Sequence, residues 1–348
     1  MKETMKAAVL KDKRLIEVKD ISVPEMKDDS LEIKVSACGV CGSDVHMWKA
    51  GKGWSKENSS DFVMGHEFCG VVTNEGKSGF KKGDRVTFWA NLYCGECDMC
   101  KAGKEHLCYD VNGTNYIGFV CNGGYAEKFV GKYKNAYKLP DTVSDIAAAL
   151  IDPLMVAYHA VCDAKLKPED KVLIVGSGII GHLIGDLAKK AGVSYLALSK
   201  VNDLKIKRAK ELNLFDEYFD GNDPDVIEKM HEKTKGGFDV IFEAVGSSKT
   251  LNTCIEAVKP GGKVMMIGNS VEPEILVNIN RAVLKEVKLL GSVSCTRKEF
   301  EDTIALIANG IIAPEKYVTD ILPLSKLQYA FEKQSDENNE LLKTVIKF

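Results

Sequence analysis

Residues 172–181, which read VLIVGSGIIG, restrict the fold of this chain more than any other stretch. The apolar, β-branched run before the glycines is typical of a buried parallel strand, and the residues after them continue at helical spacing. In a G-x-G-x-x-G between strand and helix, the glycines permit a tight turn, a close approach to a pyrophosphate, and close packing of helix on strand. The motif alone also occurs in ordinary turns, but in this context it predicts a dinucleotide site. The residues that we expect to contact the dinucleotide are Gly176, Gly178, Ile179, Ile180 and Gly181.

The pattern around this motif predicts the fold class. From residue 165 to about 291, strand-like and helix-like segments alternate, which is typical of an α/β doubly wound parallel sheet. Before and after that stretch, the chain reads mainly as β-strands separated by polar turns. We therefore expect the parallel sheet, over residues 157–292, to be inserted in a mainly antiparallel β domain made of residues 1–156 and 293–348. We also expect a helical segment to break at Asp152–Pro153, because the residue before a proline avoids the helical conformation.

Composition excludes several classes of function. The 348 residues carry a formal net charge of −3, with 45% hydrophobic and 28% charged residues, as in an ordinary globular protein. That charge gives no reason to expect nucleic acid or an anionic membrane as a partner, and no uninterrupted apolar run reaches the length of a membrane span. The first residues lack the apolar core of a secretion signal, so we expect a cytoplasmic protein. We further expect a homodimer or homotetramer, because the parallel sheet would otherwise leave an exposed edge.

Eleven cysteines is a high count, and four of them are closely spaced in a lobe over residues 91–110. Cys94, Cys97, Cys100 and Cys108 form C-x2-C-x2-C-x7-C. Four thiolates at such gaps can close a tetrahedral shell, which predicts a structural zinc ion. Unrelated thiols and an iron–sulfur cluster are the alternatives, and Tyr109 replaces the proline that usually follows the last cysteine of such a cluster. The thiols outside the metal sites are expected to be buried: Cys38, Cys69, Cys121, Cys162, Cys254 and Cys295.

Four more potential metal ligands, Cys41, His66, Glu67 and Asp152, are scattered along the chain, so spacing alone cannot show that they converge. One thiolate, one imidazole and one carboxylate would make a zinc site with a free position for water or substrate. Taken singly, each residue has an ordinary explanation as a small buried thiol, a solvated turn, or a turn starter before proline. The residues by themselves leave both interpretations open.

Eight segments, in one order along the chain, resemble those of the zinc-dependent medium-chain alcohol dehydrogenases. They are GVCGSDVH, GHEFCG, KKGDRV, CGECDMCKAGKEHLC, GGYAEKF, the Asp-Pro at residue 152, VGSGIIG and GGKVMMIG. The resemblance covers essentially the whole chain and is closest to polyol dehydrogenases of the sorbitol type and to threonine dehydrogenases. It implies that the β domain is a GroES-like catalytic domain and that the inserted parallel sheet is a Rossmann domain.

The resemblance also implies roles for individual residues. Those at a catalytic zinc ion are Cys41 and His66, with Glu67 and Asp152 as candidate carboxylate ligands, and those of the proton relay are Ser43 and His46. Residues placed by family position at the cofactor are Ser199, Lys200, Lys205, Arg208, Val245, Gly268 and Val293. Residues expected to line a substrate pocket are Met47, Trp48, Phe119 and Met155, with ordinary core packing as the alternative for each.

The end of the second predicted Rossmann strand bears on the choice of cofactor. NAD enzymes usually carry Asp or Glu about twenty residues after the glycines. Here Ser199 and Lys200 occupy that place, and neither is acidic. An ammonium and a hydroxyl suit the 2′-phosphate of NADP, with Lys205 or Arg208 as further partners. We therefore expect NADP(H) to be favoured over NAD(H), and the alternative is a solvated Lys200 with NAD bound through other contacts.

The expected activity is the interconversion of a secondary alcohol, such as a polyol or sugar alcohol, and its ketone, with two zinc ions per chain. Threonine, butanediol, simple secondary alcohols and phosphorylated polyols remain alternative substrates. Sorbitol-type relatives have Tyr after the relay histidine where this chain has Met47, which permits a less polar pocket. A non-zinc reductase and a crystallin-like relative without turnover are disfavoured, because the set of metal ligands is intact.

Overall fold

The computed structural model of the chain describes residues 3–53, 62–111, 115–200, 202–270, 274–336 and 338–348. In those ranges the strands are β1 (Thr4–Asp12), β2 (Leu15–Ser22), β3 (Ser30–Gly39), β4 (Phe62–Val63), β5 (Glu67–Asn74), β6 (Arg85–Phe88), β7 (Lys128–Lys132), β8 (Ala136–Lys138), β9 (Lys171–Val175), β10 (Tyr195–Lys200), β11 (Glu217–Asp220), β12 (Phe238–Glu243), β13 (Val258–Met266), β14 (Lys288–Gly291), β15 (Val318–Pro323) and β16 (Lys343–Lys347).

The α-helices of the same ranges are α1 (Gly42–Ala50), α2 (Asp98–Lys101), α3 (Asp145–Ala148), α4 (Ile151–Ala164), α5 (Ile179–Lys190), α6 (Asp203–Glu211), α7 (Val226–Thr234), α8 (Ser248–Ala257), α9 (Ile279–Leu284), α10 (Arg297–Ala308) and α11 (Leu327–Ser335). Short 3-10 helices span Glu105–Leu107, Tyr133–Asn135, Pro314–Tyr317 and Leu324–Lys326. None of the described helices is both long enough and apolar enough to cross a lipid bilayer.

The chain divides into two compact units. The first unit contains Met1–Asp152 and Thr296–Phe348, and the second unit contains Pro153–Cys295. The second unit is thus a single continuous segment, while the first is made of two segments that are far apart in sequence.

Two antiparallel sheets build most of the first unit. One has seven strands, six of them in the order β15-β16-β3-β5-β6-β8, with β7 also paired to β3, and the other has the order β2-β1-β4. Only β15 and β16 are parallel neighbours in these sheets. The rings of Phe68, Phe88 and Phe129 lie 4.7–5.4 Å apart in the core that these strands enclose, which fixes β5 and β6 against β7.

The second unit is built on one parallel sheet of six strands in the order β11-β10-β9-β12-β13-β14. Its central strands are continuous apolar runs, and Leu173, Ile174 and Ile241 are fully buried, as expected for a sheet covered on both faces. The order reverses between β9 and β12, which is where doubly wound sheets bind ligands at the carboxyl ends of their strands. The predicted fold class, a doubly wound parallel sheet combined with a mainly antiparallel β domain, is confirmed.

The predicted helix break at Asp152–Pro153 is wrong. The chain leaves the helical conformation between α3 and α4, at residues 149–150, and α4 then begins at Ile151. Pro153 therefore lies in the first turn of α4, where its missing N–H removes no helical hydrogen bond.

The predicted burial of the remaining thiols is wrong for two of six. Cys121 and Cys162 are exposed, whereas Cys38, Cys69, Cys254 and Cys295 are buried. The apolar residues near the two exposed thiols do not enclose them, because Cys121 directly follows a turn at residues 118–120 and Cys162 lies in the last part of α4.

Candidate functional site

Three of the predicted metal ligands converge in the first unit. Cys41 is the N-cap of α1, and His66 and Glu67 lie where the chain turns at Gly65 into β5. Gly65 has a φ of +94°, a conformation that side chains disfavour, so a glycine there allows the turn. One donor atom from each of Cys41, His66 and Glu67 lies within 4.8 Å of the other two. A thiolate, an imidazole and a carboxylate at this spacing fit a zinc ion with an open position.

The imidazole of His66 lies between two carboxylates. Its Nδ1 is 3.5 Å from Oδ1 of Asp44, and its Nε2 is 3.9 Å from Oδ2 of Asp152. Asp152 thus lies beside the three-residue cluster and not within it. A carboxylate on one ring nitrogen orients a ligand histidine and makes its other nitrogen more basic. Asp44, which the sequence analysis missed, is placed to do this for His66.

The pKa values of His66 and Asp152 are both raised by their surroundings. Burial by itself lowers the pKa of His66, but the nearby charges of Asp44 and Cys41 more than offset it, and the pKa is raised well above its usual value. Burial raises the pKa of Asp152 to about 7, with His66 opposing and Glu67 reinforcing that shift. Such an excess of acidic groups around a buried centre suits the binding of a cation.

Glu67 has a buried partner from β16. Nζ of Lys343 pairs with Oε2 of Glu67, and each side chain is only 1% exposed. The same ammonium donates a hydrogen bond of 2.9 Å to the carbonyl of Val40. Burial lowers the pKa of Lys343, but Glu67, Cys41 and Asp152 together more than offset burial and the net shift is upward, so the ammonium form persists. Gly39 leaves room for this pair, since a Cβ there would lie 2.1 Å from Oε2 of Glu67.

Asp44 connects the ligand residues to the core. Its Oδ2 accepts a hydrogen bond of 3.1 Å from the backbone N–H of Cys41 and lies 2.8 Å from the hydroxyl of Tyr125. That hydroxyl is also 2.9 Å from the carbonyl of Gly39. Asp44 is at the third position of α1, where an acid commonly returns to the N-cap. The same side chain therefore starts the helix that carries Cys41 and faces His66.

The two predicted relay residues lie one turn apart on α1. Oγ of Ser43 is buried and has no hydrogen-bond partner among the described residues, while His46 is exposed. Partial burial and the charge of Lys49 lower the pKa of His46, so its neutral form is available to accept a proton near pH 7. Ser43 is not the N-cap of α1, because Cys41 holds that position.

The predicted pocket residues separate into different environments. Phe119 packs edge-on against His66, with ring centroids 4.8 Å apart. Met47 and Trp48 are buried in the core cluster of the first unit, and the indole of Trp48 packs edge-on against a core phenylalanine. Met155 lies in the second unit and is 3% exposed. The contacts of Met47 and Trp48 match the alternative of core packing, whereas Phe119 lies beside a metal ligand.

The four clustered cysteines form a second group of donors. Sulfur atoms of Cys94, Cys97, Cys100 and Cys108 all lie within 4.8 Å of one another. The backbone N–H groups of Glu96 and Cys97 each donate a hydrogen bond of 3.3 Å to Sγ of Cys94. Backbone N–H groups lower the pKa of Cys97 to about 6. Four sulfur donors without an open position fit a structural zinc ion.

The glycine motif of the second unit has the geometry that its pattern predicts. Gly176 follows β9 with a φ of +118°, so the turn requires a residue without a side chain. Gly178 is the N-cap of α5, and a Cβ there would meet nothing within 4 Å. A Cβ on Gly181 would lie 2.0 Å from the carbonyl of Gly176, so helix and strand approach closely only with glycine. The backbone of Ile179 and Ile180 begins α5 at this open N-terminus.

Three other predicted cofactor residues lie at the same edge of the parallel sheet. Val245, Gly268 and Val293 each follow the carboxyl end of a strand, namely β12, β13 and β14. A Cβ on Gly268 would lie 2.3 Å from the backbone nitrogen of Gly246, so two backbones touch here. Glu243, which the sequence analysis missed, holds this turn by accepting hydrogen bonds of 3.0 and 2.9 Å from the N–H groups of Val245 and Gly246.

Some of the predicted cofactor residues on β10 and α6 form ion pairs with carboxylates. Ser199 is buried, and Nζ of Lys200 lies 2.6 Å from Oδ1 of Asp203 and 3.9 Å from Oδ2 of Asp220. On α6, burial lowers the pKa of Lys205. The guanidinium of the fourth predicted residue, Arg208, is 3.0 Å from a carboxylate oxygen of Glu211. A cofactor phosphate at Lys200 would therefore compete with Asp203 for the ammonium.

Comparison with known proteins identifies the family. Residues 27–141 match the alcohol dehydrogenase GroES-like domain, and residues 180–309 match the zinc-binding dehydrogenase domain. A sorbitol dehydrogenase of Bacillus subtilis is 30% identical over 349 residues, which cover 99% of this chain and 97% of that protein. The chain belongs to the zinc-type medium-chain alcohol dehydrogenase family.

Solved structures of other dehydrogenases match this one over its whole length. A zinc-binding dehydrogenase of Sinorhizobium meliloti, bound to NADP, is 28% identical with a TM-score of 0.89, and 100% of each chain is covered. An alcohol dehydrogenase of Escherichia coli CFT073, complexed with NADH, is 25% identical with a TM-score of 0.87, and 99% of each chain is covered. This medium-chain dehydrogenase is therefore an oxidoreductase of CH–OH donors that uses zinc and a nicotinamide cofactor.

Proposed function

We propose that this dehydrogenase interconverts a secondary alcohol of the polyol or sugar-alcohol class and its ketone, with NADP(H) favoured over NAD(H). The convergence of Cys41, His66 and Glu67, with Asp152 beside His66, carries this proposal, because the donor set suits zinc with a free position. Similarity to a sorbitol dehydrogenase over nearly the whole chain supports the polyol class. We assign catalysis to the first unit and cofactor binding to the second.

Two zinc ions per chain are part of the proposal. Cys41 and His66 hold the first, with Glu67 or Asp152 as the carboxylate, and the four clustered cysteines hold the second as a structural ion. Zinc held by these residues would supply Lewis acidity toward an alcohol oxygen, and a bound nicotinamide would supply the hydride acceptor. Asp44 orients the imidazole of His66, and Lys343 neutralises the buried carboxylate of Glu67.

We assign the transfer of the alcohol proton to two side chains of α1. Oγ of Ser43 is buried and has no partner in the part of the chain that the structure describes, so it is available to accept the proton of a bound hydroxyl and to release its own. His46 is exposed and has a lowered pKa, so it can pass a proton between this site and solvent.

The oligomeric state and compartment are also proposed. β14 is at one edge of the parallel sheet, and the adjoining α9 exposes Ile279, Val283 and Leu284 at 59%, 66% and 79%. An open strand edge beside apolar side chains favours a homodimer or homotetramer assembled there. All eleven cysteines lie in described ranges and none of them forms a disulfide bond there, which supports the reducing cytoplasm as the compartment.

A substrate panel tests the proposed activity. The zinc-replete protein is assayed with polyols, polyol phosphates, threonine and 2,3-butanediol, each with NADP and with NAD, and reduced nicotinamide is followed by absorbance. We expect polyols to be oxidised with NADP preferred, and we expect the activity to disappear on chelation and return with zinc. A clear preference for threonine would replace the polyol assignment, and no oxidation of any alcohol by zinc-replete protein would contradict the proposal.

Lys200 supports the preference for NADP. Its ammonium is at the carboxyl end of β10, only 13% exposed, and its direct partner Asp203 is 76% exposed and can turn to solvent. A phosphate with two negative charges competes well against one exposed carboxylate. No acidic residue of β10 takes the place of the carboxylate that usually binds the ribose of NAD.

Replacing Lys200 with alanine is expected to lower kcat/KM for NADP by about 10- to 100-fold, because a hydrogen bond to a charged group is lost. The value for NAD should change little, since NAD has no phosphate at this position. Steady-state kinetics with both cofactors provide the measurement, and Lys207→Ala, an exposed lysine on α6, is the matched control. An equal loss with both cofactors, or a wild-type enzyme that prefers NAD, would refute this role.

A further inference from the structure

The hydroxyl of Tyr116 is buried without a partner. The residue as a whole is half-buried, while its hydroxyl oxygen is buried and has no hydrogen-bond partner among the described residues. Tyrosine commonly buries the ring and leaves the hydroxyl at water or on a partner, because an unpaired buried hydroxyl is costly. An orphaned hydroxyl in a native protein therefore indicates a partner outside the described residues, such as a bound ligand.

The backbone around Tyr116 is fixed, so the orientation is built into the fold. The carbonyl of Asn115 accepts a hydrogen bond of 3.0 Å from Leu92, and Gly124 donates one of 2.8 Å to the carbonyl of Gly65. Gly118 packs directly on Gly65, because a Cβ on it would lie 2.6 Å from that same carbonyl. The segment that carries Tyr116 is thus fastened to the turn that carries His66.

An aromatic series places Tyr116 one ring beyond the metal ligands. The ring of Phe119 is 5.4 Å from that of Tyr116 and 4.8 Å from the imidazole of His66. Burial raises the pKa of Tyr116 to about 12, with the charge of Asp152 adding to the shift and that of His66 opposing it. The hydroxyl therefore keeps its proton, can donate it in a hydrogen bond, and lies within electrostatic range of Asp152 and His66.

We propose that the Tyr116 hydroxyl donates a hydrogen bond to a second hydroxyl of the substrate, on the carbon next to the one that reacts. This inference rests on the proposed function, in which Ser43 serves the reacting hydroxyl. Phe119 packs against both Tyr116 and His66, so the phenol is one ring removed from the metal ligand, and we assign it to the adjacent oxygen and not to the reacting one. Tyr116 is then a specificity-determining residue, and the substrate class is a secondary alcohol within a vicinal diol, as every polyol contains.

A pair of alcohols that differ in one hydroxyl tests this inference. Tyr116→Phe removes the phenolic oxygen and leaves the ring, and kcat/KM is measured with 2,3-butanediol and with 2-butanol. We expect a loss of about tenfold on the diol, as for one neutral hydrogen bond, and a change below about twofold on the mono-alcohol. Tyr109→Phe, a tyrosine 62% exposed in the cysteine lobe, is the matched control. Zinc content and melting temperature should be unchanged.

A second readout does not depend on turnover. The dissociation constant of 2,3-butanediol, measured by calorimetry on zinc-loaded protein without nicotinamide, should rise by about tenfold in Tyr116→Phe. Equal losses on diol and mono-alcohol would overturn the inference, because Tyr116 would then act on the reacting atoms. An unchanged constant for the diol would overturn it as well. A wild-type protein that binds the diol through Tyr116 but oxidises no alcohol would contradict the proposed function and leave this inference standing.

Discussion

Lys343→Met is expected to destabilise the metal-free protein by about 3–5 kcal/mol, because removing one partner of a buried ion pair leaves an uncompensated charge. Lys343 and Glu67 are each 1% exposed, so water cannot solvate the carboxylate that remains. Methionine has a similar length and keeps the packing, so the loss comes from charge and from the hydrogen bond to Val40. Denaturant unfolding of the protein stripped of zinc measures the effect.

Two variants distinguish the effect of losing the ion pair from the effect of general damage to β16. Lys347→Met changes an exposed lysine of the same strand and should alter the free energy of unfolding by less than about 0.5 kcal/mol. The double variant Glu67→Gln/Lys343→Met removes both charges and should recover most of the lost stability, because a neutral pair needs no counter-charge. If the double variant is no more stable than Lys343→Met, the loss does not come from the unpaired carboxylate.

Cys100→Ser is expected to release one zinc ion per chain and to unfold the cysteine lobe. For structural zinc sites, apparent binding free energies of about 10–16 kcal/mol are also folding free energy, so a lost ligand removes much of what orders the loop. The lobe has little regular structure of its own, only α2 and one 3-10 helix between residues 91 and 111. The metal content falls by one ion, and limited proteolysis should cut within the lobe.

The matched control for the lobe is an exposed thiol outside both clusters. Cys162→Ser should keep the full zinc content and resist proteolysis as the wild type does, since Cys162 is exposed on α4. If Cys100→Ser retained the zinc content of the wild type, the four cysteines would not hold a zinc ion, and the structural site would have to be abandoned.

Features contained in a few consecutive residues could be predicted from the sequence. The glycine motif and the four cysteines are local, so their spacing limits the geometry before any long-range contact is known. Cys41, His66 and Glu67 needed the family resemblance, because a turn and two strands bring them together. Asp152 was placed near them by the same resemblance, and the structure has it beside His66.

The supporting residues could not be predicted, because their roles exist only in three dimensions. Lys343 is 303 positions away in sequence from Val40, to which it donates a hydrogen bond at the site. From the sequence alone, nothing distinguishes it from a solvated surface lysine. Asp44 reads as an ordinary acid in a first helical turn. Tyr116 carries no signal at all, since the unusual fact is the burial of its hydroxyl.

The pairing of Lys343 with Glu67 also has a consequence for synthesis of the protein. Until translation has passed residue 343, a nascent chain that folded its earlier strands would enclose Glu67 without the ammonium that pairs with it. β3 would also lack the neighbour that β16 provides. The second unit, a continuous segment, faces no such delay and can form while the ribosome is still at work. The first unit, to which we assign catalysis, should therefore mature after the second unit, to which we assign cofactor binding.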